Sequence, residues 1–419
     1  MNVDDMILVS IDDHVVEPPD MFERHMPAKY ADRAPKVVVT ETGEEQWEFQ
    51  GNAAGTMALN AVVGWPKEDW GFDPVSFEEM RPGTYNVDER VRDMNRNGVL
   101  ASMCFPTFAG FSGTNLLGGT DRDLTRVVVQ AYNDWHIDEW AGAHPGRFIP
   151  LAIAPVWDPQ ALAAEMRRVA AKGCRAVTMP ELPHVVGLPS YHDVEHWRPF
   201  FETVSELGIV MCLHIGGGLG ALSFPPEAPM DNLMILATQV SVLAAQDLVW
   251  GPVMRMYPDL KIAWSEAGIG WIPFFLDRCD RHFKQQSWLN HDFGGKLPSE
   301  VFREHSLACF VSDPTALKVR RDIGIDMIAW EADYPHSDAL WPDAPEAVLA
   351  EMTAAGCTDD EMNKITWQNT SRFFDYDPFT HIPKSESNVG ALRAAAADVD
   401  TTPRSRKEWR ARAAANVAG

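Results

Sequence analysis

Eight short runs of apolar and β-branched residues, spaced along the chain and mostly followed by longer helix-compatible stretches, constrain the fold more than any other feature of the sequence. The runs are Met6–Ile11, Val99–Phe105, Phe148–Ala154, Ala176–Met179, Ile209–Leu213, Lys261–Trp264, Ala308–Val311 and Met327–Trp330. They are apolar almost throughout instead of alternating, the pattern of parallel strands buried on both faces. Predicted helices fall at Arg122–Gly142, Gln160–Lys172, Trp197–Leu207, Asn232–Tyr257, Trp271–Gln286 and Ala344–Ala355. Eight such units predict a (β/α)8 TIM barrel. An open doubly wound sheet would carry a Gly-rich phosphate turn after its first strand, and none follows Ile11.

Three stretches fall outside this repeat. Residues 23–85 and 216–234 follow strands one and five and are read as insertions that enclose substrate; residues 381–419 are read as a C-terminal arm or tail beyond a barrel domain spanning 1–380. Among the aromatics of the loops, Trp65, Trp70, Phe72, Phe77, Phe105, Phe108, Phe111 and Phe224 suggest an apolar pocket.

Composition narrows the partners. With 36 basic and 60 acidic residues the net charge is −24, which disfavours nucleic acid and anionic membranes and favours a small-molecule substrate. The apolar runs, such as 207–215, are expected to fall short of the ~20 residues of a membrane helix. The opening MNVDDM is acidic where a secretory leader is basic, so the expected location is cytoplasmic. Six scattered Cys without CxxC spacing predict neither a disulfide framework nor a Cys-zinc site. A homo-oligomer is compatible with the arm.

The chemistry sits at strand ends. Asp12 and His14 share one face of the first strand, with Asp13 on the other. His214 ends the fifth strand, Glu266 the sixth and Asp333 the eighth. On a barrel these ends share one rim, and two imidazoles with two or more carboxylates make a mixed N/O set for Zn, Fe or Mn. Three carboxylates around two His carry enough charge for one ion or two. Glu266 is read both as a ligand and as a general base, His336 as a donor to substrate and Arg81 as a fork for a substrate carboxylate or phosphate. Glu17 and Glu331 are read as acceptors behind the ligands.

Ser10–Pro18, Leu213–Gly216, Glu266–Trp271 and Trp330–Asp338, with Arg81–Tyr85 and Asp93-Met94, resemble the amidohydrolase-related proteins of the aminocarboxymuconate-semialdehyde decarboxylase type over about residues 7–378. The resemblance implies a metal-dependent barrel enzyme with Asp12, His14, His214 and Asp333 as ligands. Two positions differ from the usual pattern: Asp12-x-His14 replaces His-x-His, and Glu266 stands where the decarboxylases often have His. A carboxylate beside a metal-activated water favours hydrolysis of an amide, ester or thioester of a bulky apolar molecule. The alternatives are non-oxidative decarboxylation of an aromatic or unsaturated carboxylic acid, and a barrel that binds a ligand without turnover.

Overall fold

The structure, a computed structural model, describes residues 1–53, 57–71 and 74–418, so Phe72 lies outside the described residues. Its strands are β1 (Val9–Val15), β2 (Lys36–Val39), β3 (Glu45–Phe49), β4 (Asn52–Ala53), β5 (Ala101–Pro106), β6 (Leu151–Ala152), β7 (Ala176–Met179), β8 (Val210–His214), β9 (Lys261–Ser265), β10 (Ser306–Phe310) and β11 (Ile328–Trp330). All but β2, β3 and β4 belong to the parallel, helix-alternating series, eight strands in number, and their order along the chain is that of a (β/α)8 barrel. Compared with the sequence expectation, β1 begins three residues later and runs through Asp12, Asp13 and His14. The third parallel strand shrinks to two residues, although Phe148 still bridges to Ser102.

Two compact units make up the chain. The first comprises 1–153, 332–347 and 377–419. In it β1 pairs in parallel with β5, with a register shift between Ser10 and Asp13. The insertion after β1 is a packed substructure: β2, β3 and β4 form an antiparallel sheet, while Met57, Ala61, Phe77 and Met80 close over Val16. The C-terminal arm is ordered against the same unit, with Trp409 buried beside Val62 and Trp65.

The second unit comprises 154–331 and 348–376. Here β7, β8, β9, β10 and β11 pair in chain order, all parallel and almost wholly buried. Helices start and stop on local chemistry: Asp158, Asp193 and Asp313 accept backbone N–H bonds at N-caps, and Gly208 takes a left-handed C-cap. The helix expected over 232–257 is broken into Asp231–Leu236, Gln239–Trp250 and Val253–Met256. The stretch 231–250 is nevertheless long and apolar enough, by length and composition alone, to cross a membrane, which corrects the expectation that no segment reaches that length. Val240, Ala244, Ala245, Leu248 and Val249 on its second half are buried, as in a core helix. None of the six cysteines forms a disulfide, and five are buried.

Candidate metal centre

In the first unit β1 and the segment after β11 carry one cluster. Asp12 and His14 are buried on one face of β1, and Asp333 is buried beside them. His14 Nε2 lies 3.5 Å from Asp12 Oδ1 and 3.3 Å from Asp333 Oδ1, and His336 Nδ1 lies 2.9 Å from that same oxygen. Donor atoms around a cation with ligand distances of roughly 2.0–2.3 Å stand about 3 Å apart, so this spacing suits a divalent ion. Among the described residues the Asp333 carboxylate, fully buried, accepts no hydrogen bond of good geometry. A buried carboxylate held this way calls for a cation.

Backbone bonds fix the cluster. The Asp333 N–H donates to Asp12 O at 2.9 Å and the His14 N–H to Tyr334 O at 2.7 Å. Asp333 itself sits at φ 53°, the left-handed region, a strained placement of the kind concentrated at functional sites. The ring of His336 stacks on His14 at 3.8 Å between centroids, and Phe111 tilts against His14 at 4.7 Å. Phe111, turned by Gly110 at φ 71°, therefore supplies the aromatic wall.

The second unit holds the other cluster. His214 ends β8 fully buried, and its Nδ1 donates to the Ile215 carbonyl at 2.5 Å. That bond leaves Nε2 with its lone pair, and Nε2 faces Glu266 Oε2 at 3.0 Å. Two acceptors at that distance require a proton or a metal between or beside them. Glu266, with 23% of its side chain exposed, is also left-handed, at φ 57°. Its N–H donates to Glu331 Oε2, which also accepts the Cys309 thiol, so Glu331 orients the backbone at Glu266. Glu181, buried just beyond β7, accepts from Ser241 Oγ at 2.7 Å; burial raises its carboxyl to about 7, opposed mainly by that hydroxyl.

Several sequence expectations are corrected here. Arg81 offers no fork to substrate: its Nε and Nη2 bind Asp93 at 2.7 and 2.6 Å, its Nη1 donates to Asp400 O, and its plane lies over Trp341. Trp65 is a packing residue, its Nε1 donating to Glu79 O under the C-terminal arm. Phe108 is wholly buried between Phe22 and Trp47. Phe224 lies half-buried in the loop after β8. Glu17 accepts from the Thr107 and Phe108 N–H groups, and burial pushes its carboxyl up to about 7. Sequence reasoning passed over Ser10, Ser102, Arg90 and Glu181; each is a polar residue inside or just beyond an apolar run or within a helix, and only burial marks it out.

The amidohydrolase family profile matches residues 34–376, and the chain belongs to this family of metal-dependent barrel enzymes. Over 335 residues it is 22% identical to gamma-resorcylate decarboxylase of Polaromonas sp. strain JS666, covering 74% of this chain and 91% of the relative. An amidohydrolase from Mycobacterium avium subsp. paratuberculosis superposes with a TM-score of 0.66 at 19% identity, over 88% of this chain and 97% of that one. A dihydroxybenzoic acid decarboxylase from Polaromonas sp. JS666, solved with bound manganese and 2-nitroresorcinol, superposes at 0.55 with 20% identity, over 76% and 92%. At these identities the superpositions establish the barrel fold. The relatives whose reaction is named are decarboxylases, which overturns the expectation of acyl hydrolysis drawn from Glu266.

Proposed function

We propose that the protein is a metal-dependent, non-oxidative decarboxylase of hydroxylated aromatic carboxylic acids, with Asp12, His14 and Asp333 holding one divalent cation. The observation that carries this reading is the Asp12–His14–Asp333 donor set with aromatic rings beside it: His336 stacked on His14 and Phe111 tilted against it. A flat aromatic acid matches such walls. The similarity to gamma-resorcylate decarboxylases and the manganese bound by a structural relative support the substrate class and the metal. The carboxylate-rich donor set favours a harder ion such as Mn or Fe over Zn.

In this reaction the carbon–carbon bond to the carboxylate breaks as CO2 leaves, and its electron pair stays on the ring carbon, which takes a proton. The cation, when bound, supplies a Lewis acid for the substrate's oxygens. The protein's own groups do the rest. His336 Nδ1, against Asp333 Oδ1, holds a proton at the ring edge of the cluster. Glu266, partly exposed and 3.0 Å from His214 Nε2, is the second acid–base group. Phe111 excludes water from the ring carbon.

The test is a panel of ortho-hydroxylated benzoates, 2,6-dihydroxybenzoate first, incubated with Mn2+-loaded protein and followed by CO2 release. The reading expects stoichiometric CO2 and the matching phenol. No CO2 from any member of the panel would overturn it.

A further inference from the structure

Asp13 lies between two proposed ligands in sequence yet points away from both. Its carboxylate is 1% exposed and is gripped on the opposite face of β1. Oδ1 accepts the Ser10 hydroxyl at 3.1 Å and the Tyr334 N–H at 3.1 Å, and Oδ2 accepts the Ser102 hydroxyl from β5. Ser10 Oγ in turn accepts the Ala332 N–H at 2.9 Å. Arg90, wholly buried, supplies the balancing charge while donating to the carbonyls of His14 and Gly83, with Tyr334 as an aromatic face 4.4 Å from its guanidinium.

The consequence lies in where these bonds fall. Ala332 and Tyr334 flank Asp333, and both of their N–H groups are held by Ser10 and Asp13, side chains that flank Asp12 in β1. The register shift between Ser10 and Asp13 is what turns the Asp13 carboxylate towards this seam. A short stretch after β11, with a left-handed residue at Asp333, is thus sewn to β1 at the level of the donor atoms.

We propose that Asp13 is a positioning residue: by bonding Tyr334 and the Ser10 hydroxyl it sets the spacing between the Asp12/His14 pair and Asp333, and so fixes cation affinity. The inference rests on the reading of those three residues as ligands. Residues that only orient ligands typically alter metal affinity by about 10–100-fold.

The experiment measures Mn2+ binding to the full chain directly, by electron paramagnetic resonance of free Mn2+, alongside thermal unfolding. Asp13→Ala is expected to weaken Mn2+ by about 10–100-fold, whereas Asp13→Asn, whose Oδ1 can still accept the Tyr334 N–H, stays within a few-fold of the native protein. Ser10→Ala, which deletes a hydroxyl without opening a large cavity, is expected to weaken binding several-fold and serves where Asp13→Ala does not fold. Native Mn2+ affinity in a folded Asp13→Ala or in Ser10→Ala would overturn the proposal, as would Asp13→Asn binding as weakly as Asp13→Ala. Failure of the native protein to bind Mn2+ would instead overturn the ligand reading on which it rests.

Discussion

The backbone N–H of Asp333 donates to the backbone carbonyl of Asp12 across 2.9 Å. Two acidic side chains 321 positions apart in sequence are therefore locked at main-chain level, with His14 Nε2 within 3.5 Å of a carboxylate oxygen from each. Buried like charges this close repel unless a cation joins them.

Asp333→Asn removes one of those charges together with a proposed ligand. The variant is expected to lose more than about 100-fold in Mn2+ affinity, beyond the range for residues that merely orient ligands. Its metal-free form should unfold at a temperature equal to or above that of the metal-free native protein, because repulsion is relieved. Calorimetric titration and thermal unfolding check the two halves separately.

Glu266→Gln keeps the length of the side chain and removes its ability to carry a proton. CO2 release should fall by roughly 100-fold, the usual scale for losing an acid–base group. A rate within a few-fold of native would remove Glu266 from proton transfer.

Arg81→Met breaks a buried, bidentate ion pair and strands Asp93. A loss of about 3–5 kcal/mol in stability is expected, with KM of the folded enzyme unchanged. Denaturant unfolding and steady-state kinetics distinguish this from a substrate-binding role, which would raise KM and spare stability.

His136 is buried against Tyr132 and Trp135, and desolvation lowers its imidazole from 6.5 to about 4, with the Cys104 backbone opposing. The unfolded chain therefore takes up a proton between pH 6.5 and 4 that the native state refuses, so stability contributed by the neutral ring is present above pH 6.5 and lost as pH falls towards 4. The loss is roughly 3 kcal/mol at most. His136→Phe should flatten this part of the pH–stability curve, measured by urea unfolding at pH 7, 5.5 and 4.5.

Much of this was legible in the sequence for reasons that are physical. Strands buried on both faces must be apolar along their length, so β5, β7, β8, β9 and β10 announce themselves, and polar residues ending them, such as His214, stand out. The two-residue β6 does not, because Phe148–Ala154 is apolar for packing and only Leu151–Ala152 takes the ladder. The left-handed backbones of Glu266 and Asp333 leave no compositional trace, since neither is glycine. Arg81 and Asp93 are both visible, but that they face one another depends on where the helix Val87–Asn97 packs. Phe108 and Phe111 are three residues apart, and the turn at Gly110 decides which reaches the core and which reaches His14. The hydrolase expectation failed because a carboxylate beside a His suits either reaction; what leaves depends on the substrate.

The most direct test of the metal-dependent decarboxylase account is CO2 release from 2,6-dihydroxybenzoate by chelator-stripped protein during titration with Mn2+. The account predicts no CO2 from the stripped protein and a rate that climbs with bound Mn2+ and saturates at one equivalent per chain. Full CO2 release from the stripped protein, or none at saturating Mn2+, would contradict it.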